Sequence, residues 1–403
     1  MEIIFWISLF IIGYTYIGYG MVLYILYRLK RLVAPRKPVQ RDGAHNGKAR
    51  LPTCTLIVAA YNEAAVIEEK IRNTLALEYP EGKLSCFFVT DGSTDETPEL
   101  VRKFPEINLL HMDARGGKIA AVHRAMEQVT TEVVIFTDAN TLLNPNAVLE
   151  ICANYADARV GAVAGEKRVH ADEKADASAA GEGFYWKYES ALKRWDSALH
   201  TVVGSAGELF SIRTELYEPV ALDTVLDDFM ISMRIAERGY RVVYEPGAYA
   251  TEMASENVEE ELKRKIRIAA GGMQSIVRLK RAPNPFVDPL LAFQYISHRV
   301  LRWTVAPLLL IGVFILNAIL FARGAGMVYT LLFYSQVAFY LCAIAGFVLE
   351  QRALRVKVLF IPYYFCVMNY AVIAGMIRYF KGGQSAIWER SSRKQQPGGV
   401  TFL

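Results

Sequence analysis

Four long apolar runs, one at the start and three near the end, fix what this chain can become. The first, Ile3 to Tyr27, has 25 residues and no charge. At about 1.5 Å of rise per residue, a helix of that length crosses a hydrocarbon core about 30 Å thick. Basic residues follow it, at Arg28, Lys30 and Arg31, while the start reads "MEII". That charge order does not match a cleavable signal peptide. The positive-inside rule places the N-terminus outside and everything after Arg28 in the cytoplasm. The later runs are Trp303–Phe321, Met327–Leu349 and Val358–Ile377. Four crossings would leave the C-terminus outside, yet Arg378, Lys381, Arg390, Arg393 and Lys394 crowd the tail. Either one run does not cross fully or the tail breaks the rule.

Between these blocks the chain is polar enough to fold in water. Hydrophobic residues are 53% and charged residues 21% of the 403, with mean hydropathy +0.19. Such a mixture implies a water-exposed domain joined to membrane segments. The expected organisation is a membrane helix at 1–30, a basic linker at 31–50 and an α/β domain at 51–280. Interfacial amphipathic helices at 281–302, membrane helices at 303–380 and a basic tail at 381–403 follow. Residues 28–50 hold eight Lys/Arg against one acid, and residues 263–281 hold seven and no acid. Both clusters adjoin apolar runs, so membrane lipids are the expected partner rather than nucleic acid. No zinc-finger spacing or RNA-binding signature supports a nucleic-acid role. The five cysteines, Cys54, Cys86, Cys152, Cys342 and Cys366, show no CxxC pairing, which argues against a disulfide framework or a structural zinc.

Within 51–280, short apolar runs alternate with helical patterns. "CTLIVAA" (Cys54–Ala60), "CFFVT" (Cys86–Thr90), Asn108–His111 and "VVIFT" (Val133–Thr137) read as strands. Helices are expected over Glu63–Leu77 and Lys118–Val129. This alternation predicts a mostly parallel sheet, with ligands bound beyond the carboxyl ends of its strands. Polar clusters stand at those ends: Asn62 and Glu63, Asp91, and Asp138 with Asn140. Each alone suits a helix N-cap; three on one sheet edge suit a site. Neither GxGxxG after the first strand nor GxxxxGK[ST] occurs, which removes the main support for a dehydrogenase or a P-loop enzyme.

The ordered set "VAAYNE", "VTDGSTDET", "RGGKIAAVHRAM", "FTDAN", "VGSAGELFSIR", "LDDFMISMRIAERGYRVVYEP" and "RKIRIAAGG" resembles the family 2 glycosyltransferases. The membrane layout is similar to that of the membrane-bound branch, which includes cellulose, hyaluronan, chitin and poly-N-acetylglucosamine synthases and ceramide glucosyltransferase. The resemblance implies a GT-A fold, a Rossmann-like, mostly parallel sheet, in a cytoplasmic domain. It implies an inverting hexosyltransferase using a nucleotide sugar, expected to be a UDP-sugar, and a divalent Mg²⁺ or Mn²⁺. It further implies an integral protein of a bacterial inner membrane.

Residue by residue, the resemblance carries over as follows. Ala60, Tyr61, Asn62 and Glu63 match the first nucleotide loop, Asp91 the contact on the uracil and ribose side, and Lys118 a basic contact to the nucleotide. Asp138 matches the first aspartate of the DxD metal motif. Asn140 stands at the second, where its amide oxygen can coordinate but brings no charge. Asp227–Asp228 stands for the family's "ED" pair, with Asp228 as general base. Two adjacent carboxylates beside a diphosphate should raise one pKa, which suits a base. Gly204, Ser205 and Gly207 match the acceptor-side loop. "FYWKYE" (Phe184–Glu189) suits either stacking on sugar faces or interfacial packing. The QxxRW motif falls on Arg264–Ile268, with Arg264 and Arg267 facing the diphosphate and Ile268 at the acceptor-stacking tryptophan. A literal RxxRW at Arg299–Trp303 lies 71 residues past Asp228, against 36 for Arg264, and reads as an interfacial anchor. Ile268 and the small number of apolar runs favour limited extension, a lipid acceptor or a homo-oligomeric channel. The family's commonest outcome, a growing surface glycan, pulls towards polysaccharide synthesis. A membrane scaffold that retains only the fold is the reading from another class.

Overall fold

A computed structural model describes residues 1–33, 50–170, 177–253, 258–352 and 356–382. Most of the basic linker and nearly all of the basic tail expected from the sequence lie outside the described residues.

The chain opens with one long rod, α1 (Glu2–Gly13) and α2 (Tyr19–Val33), joined by a π-helical turn at Tyr14–Gly18. The catalytic-size domain follows. Its strands are β1 (Cys54–Ala60), β2 (Leu84–Asp91), β3 (Asn108–Met112), β4 (Val133–Asp138), β5 (Thr141–Leu143), β6 (Val160–His170), β7 (Leu209–Arg213) and β8 (Arg241–Met253). The helices between them are α3 (Ile67–Leu75), α4 (Thr97–Arg102), α5 (Lys118–Met126), α6 (Ala147–Ala153), α7 (Ala177–Leu199) and α8 (Asp227–Glu237). After β8 come α9 (Val258–Arg278), α10 (Pro289–Tyr295), α11 (Leu301–Trp303), α12 (Val305–Ala322), α13 (Met327–Gln351) and α14 (Lys357–Phe380). Among the described residues, four stretches are long and apolar enough to cross a membrane: Glu2–Val33, Val305–Ala322, Met327–Gln351 and Val358–Phe380.

The eight strands form one sheet in the order β3-β2-β1-β4-β7-β6-β8-β5. The pairs β2–β3, β1–β2, β1–β4 and β6–β8 are parallel, and those made by β7 and β5 are antiparallel. All seven residues of β1 are buried. That is why "CTLIVAA" reads as a continuous apolar run, since a central parallel strand is covered on both faces. Successive side chains divide between two cores. Leu56 and Val58 join Ile71 and Ile151 on one face, and Ile57 joins Val122 and Phe210 on the other. The register sets Ala60 opposite Thr90 and Ala59 opposite Asp138. The ends of β1, β2 and β4 are therefore level, and their polar residues share one rim. The helix expected from Glu63 begins only at Ile67, because the intervening residues tie themselves to the loop after β2.

Candidate active site

The donor side begins with that tie. Asn62 adopts a left-handed backbone, φ 53°, a conformation that asparagine tolerates better than most residues. Its side chain accepts from the Thr94 N–H at 2.8 Å and donates to Thr94 Oγ1 at 3.2 Å. Glu63 is buried, its N–H donating to Thr97 Oγ1 at 2.9 Å. These contacts fold the loops after β1 and β2 onto each other.

Asp91 ends β2 and is buried. One carboxylate oxygen accepts the N–H groups of Gly116 and Gly117 at 2.8 and 2.6 Å. The other receives Arg124 at 3.4 Å. Gly117 has φ 92°, which favours glycine. Asp91 thus holds the turn that launches α5 and its first residue, Lys118. A shallow depression open to solvent lies here, walled by Ala60, Tyr61, Asp91, Arg115, Gly117 and Lys118. The Arg115 guanidinium stands 3.8 Å from the centre of the Tyr61 ring. A flat group entering the depression meets an aromatic face and a cationic plane. Arg115 was not singled out from the sequence, although it precedes the two glycines directly.

The centre of the site is acidic. Lys118 Nζ donates to Asp138 at 2.9 Å and lies 3.8 Å from Asp227. Burial works against its charge, but Asp138, Asp227 and Asp228 outweigh burial and raise its pKa. Behind Asp138, the fully buried Lys70 donates to Thr137 Oγ1 at 3.1 Å and to the Thr141 carbonyl at 2.7 Å. Burial brings its pKa down to about 7. No local pattern in the helix "IEEKIRNTL" marks this lysine, because only the fold turns it inward.

Asp227 and Asp228 occupy the first turn of α8, where the helix dipole favours anions. Burial and the neighbouring Asp227 push the Asp228 carboxyl up to about 7, against the opposing pull of Lys118. A methyl group at Gly207 would stand 3.4 Å from the Asp228 carboxylate and 3.5 Å from Lys118 Nζ. The loop through Gly204 and Gly207 therefore runs directly past Asp228. Gly204 has φ 96°, and a Cβ there would fall 2.1 Å from the Phe229 ring, so only glycine fits. The Ser205 N–H donates to Ser232 Oγ at 3.0 Å, and its own buried hydroxyl has no partner among the described residues.

Helix α9 carries the two arginines in different directions. Arg267 is half-buried and forms no hydrogen bond or ion pair with the described residues. Burial lowers its pKa, while Asp227, Asp138 and Asp228 lie close enough to act against that. Arg264 instead grips Glu261 through two contacts, at 2.9 and 3.0 Å. It adjoins a second cluster in which the buried Lys167 pairs with Glu208 and Glu252. Burial opposes ionisation of Glu208, but Lys167 outweighs it and lowers the pKa. The structure thus brings Asp138, Asp227, Asp228, Lys118 and Arg267 together and ties Arg264 elsewhere. Ile268 is half-buried on the same helix.

Trp303 is not a free interfacial anchor. Its ring is 5.3 Å from Phe229, next in sequence to Asp228, and a Cβ at Gly272 would strike it at 2.6 Å. Arg299 donates to the Val203 carbonyl at 3.1 Å. The segment Arg299–Trp303 therefore backs the acceptor-side loop and α8. Of the aromatic stretch, residues 184–186 have side chains outside the described residues. Tyr188 donates to the Tyr16 carbonyl, and Glu189 is buried between His298, Arg299 and Arg302.

No group of three or more Asp, Glu, His or Cys able to cage a metal occurs among the described residues. The oxygen donors present, the Asp138 carboxylate and the Asn140 amide, fit a hard cation that takes its other ligands from water and substrate phosphates. Mg²⁺ binds in that way.

A mostly parallel sheet of this order, with an acid cluster at its carboxyl rim, is the architecture of a GT-A glycosyltransferase. More narrowly, the chain belongs to glycosyltransferase family 2, whose model, described as "Glycosyltransferase like family 2", matches residues 52–271. The poly-beta-1,6-N-acetyl-D-glucosamine synthase of Staphylococcus aureus is 28% identical over 238 residues, 56% of this chain and 55% of that one. The synthase of the same name from Staphylococcus epidermidis is 24% identical over 234 residues, with the same coverage. The chain thus spans about half the length of the curated relatives it matches. The fold is also that of a solved mannosyltransferase from Pyrobaculum calidifontis in complex with GDP-Man and Mn²⁺. It has TM-score 0.68 and 23% identity over 94% of this chain and 99% of the other.

Proposed function

We propose that this protein transfers a sugar from a nucleotide-sugar donor, a UDP-sugar, to a growing surface poly- or oligosaccharide, with inversion at the anomeric carbon. The observation that carries this is the position of Asp228, half-buried beside Asp227 in the first turn of α8. It borders a loop of small residues on one side and a lysine-bridged acid site on the other. The name shared by the staphylococcal relatives supports the glycan acceptor.

The depression between Tyr61, Arg115 and Asp91 takes the base and ribose, and Arg267 and Lys118 face the diphosphate. Asp138 and Asn140 would hold Mg²⁺ or Mn²⁺, which supplies neutralisation of the leaving diphosphate. An acceptor hydroxyl enters along Gly204–Gly207. As its oxygen bonds to the anomeric carbon, Asp228 takes its proton, and the bond from that carbon to the phosphate oxygen breaks. The electron pair leaves with the nucleoside diphosphate. A base with a pKa near the working pH suits this proton transfer.

A second reading is transfer of a single sugar to a lipid acceptor. Ile268 favours it, because isoleucine offers no aromatic face for a glycan chain, and so does the close packing of α9 on α14. The test is a screen for nucleotide release with purified membranes, UDP-sugars and divalent metal, followed by mass spectrometry of the product. A ladder of masses supports the glycan reading, and one discrete lipid product supports the second. No release with any common sugar donor overturns both.

A further inference from the structure

The last apolar helix, α14, has the length of a crossing, but its neighbours do not lie where a crossing would put them. The far end of the membrane bundle is marked by the first turns of α1. Phe5 packs with Val313, Leu320 and Tyr329, and the Tyr329 hydroxyl donates to Glu2 at 3.1 Å. The domain-side end is marked by the π turn, where Tyr14 bonds Ser297 at 2.8 Å and Tyr19 bonds Asp196 at 2.5 Å. Glu2 and Tyr16 are 14 residues apart, about 21 Å along a helix.

Helix α14 makes three anchors. Gly346, near the domain-side end of α13, lets Leu359 and Tyr363 come close. Phe365 stacks edge-on against Tyr16 at 5.0 Å, and Asn369 accepts from the Tyr16 hydroxyl at 2.5 Å. Gly375 then faces Ile266, Ala269 and Ala270 of α9, where a Cβ would meet atoms at 2.6–2.8 Å. From Leu359 to Gly375 the helix advances about 24 Å, enough to bring a crossing helix towards the level of Glu2. Its contact with α13 reaches Phe339, about midway along that helix and 5.9 Å from Phe365, but its last turns return to α9 on the domain side. The contact of α14 with α9 is the most extensive between two helices in the molecule. Helix α9 carries Glu259, Glu260, Glu261, Lys263, Arg264 and Lys265, a charge density that hydrocarbon does not accept.

We propose that α14 lies in the plane of the membrane surface on the catalytic side, with its apolar outer face seated in the acyl chains of that leaflet. The chain then crosses three times, and its C-terminus shares a side with the catalytic domain. The outer face bears Val358, Ile361, Tyr370, Ile377 and Phe380, each at least half exposed in the isolated chain. They continue the lipid-facing surface of the other apolar helices. Arg378 and Lys381 follow at the head-group level, and Arg390, Arg393 and Lys394 come later in the sequence. Three crossings place all of them on the catalytic side, which satisfies the positive-inside rule that four crossings violate. This inference stands independently of which sugar or acceptor is used.

The test uses the full chain in sealed membrane vesicles. One epitope tag replaces the exposed turn at Gly82, another the turn at Gly324, and a third follows Leu403. The C-terminal tag is expected to be protease-accessible in the same vesicle orientation as the Gly82 tag and protected whenever the Gly324 tag is accessible. Accessibility together with the Gly324 tag overturns the proposal. A second measurement places spin labels at Ile361→Cys and Ile377→Cys in a chain carrying Cys342→Ser and Cys366→Ser. Similar depths near the head groups are expected; depths separated by roughly 24 Å along the normal, the axial span of 16 residues, overturn it.

Discussion

The two halves of the site are held by different means. On the donor half, Ala60, Asp91 and Asp138 end three adjacent parallel strands, and hydrogen bonds between short loops fix the rest. On the other half, Gly207, Asp228 and Arg267 arrive from a loop, a helix start and a helix face separated by long stretches of chain. They are set by steric fit: Gly204 under Phe229, Gly271 against Val225 and Leu226, Gly272 under Trp303, Gly375 against α9. A hydrogen-bonded strand rim tolerates changes in what surrounds it. A site assembled by close helix packing depends on elements, some of them membrane-facing, that touch no substrate.

The largest effect expected from this contrast is at Asp228. Asp228→Asn should lower transfer by about 10²–10⁴-fold, the usual contribution of a general base, while nucleotide affinity changes little. Stability should move the other way. The folded carboxyl titrates near pH 7 and an unfolded one near about 3.9, so the folded state holds its proton more tightly. Asp228 therefore costs stability as pH rises through that window, and the cost is complete above pH 7. The variant should melt higher than the parent at pH 8, with the gap closing towards pH 4. For the parent, kcat/KM should rise with pH and level off above about 7. A flat profile between pH 5.5 and 8 would remove the base assignment.

The two arginines of α9 separate catalysis from architecture. Arg267 forms no hydrogen bond or ion pair with the described residues, so Arg267→Met should reduce transfer by about a hundredfold, in line with the ~1.5–3 kcal/mol of a hydrogen bond to a charged group, and leave Tm nearly unchanged. Arg264→Met strips a partner from Glu261 and from the group around Glu208 and Glu252. Arg264 and Glu261 are partly exposed and Glu261 keeps Lys265, so the loss is about 1.5–3 kcal/mol, that of a hydrogen bond to a charged group, and thermal melting should report it first. Equal losses of stability in both variants would erase the distinction.

Gly204→Ala tests the packed half alone. The added carbon overlaps the Phe229 ring at 2.1 Å on a backbone with φ 96°. A cost of roughly 3 kcal/mol is expected from overpacking and strain together, visible as a lower denaturation midpoint. Nucleotide affinity should survive in the folded fraction, because Gly204 lies away from the Tyr61, Asp91 and Lys118 wall.

The same contrast decides what could be read without a structure. The strand-ending residues were legible because a buried parallel strand writes a short apolar run and stops at its ligand edge. Cys54–Ala60 is observed over the expected residues, and "VVIFT" lengthens by one to include Asp138. Asp91 was legible as a site residue, but its hold on the Gly116–Gly117 turn was not, because that bond joins residues about 25 apart. The part played by "AAGG" after Arg267 was not legible: Ala269 to Gly272 serve helix packing on three sides. Trp303 read as an anchor because its neighbours in sequence are apolar. Its neighbours in space, Phe229 and Gly272, come from far along the chain.

The smallest effect is expected on the donor wall. Tyr61 and Arg115 stack at 3.8 Å, and Tyr61 contributes no ion pair to the acid site. A partly exposed cation–π contact is worth about 0.5–1 kcal/mol, and the lost aromatic face for the base adds a similar amount. Tyr61→Leu should therefore raise the KM for the donor about five- to thirtyfold at constant kcat, since the residue binds ground and transition states alike. A fall in kcat of the same size, with KM unchanged, would mean that Tyr61 acts on the reacting centre. The division between a rigid donor rim and a packed acceptor side would then have been drawn one strand too far towards the acceptor.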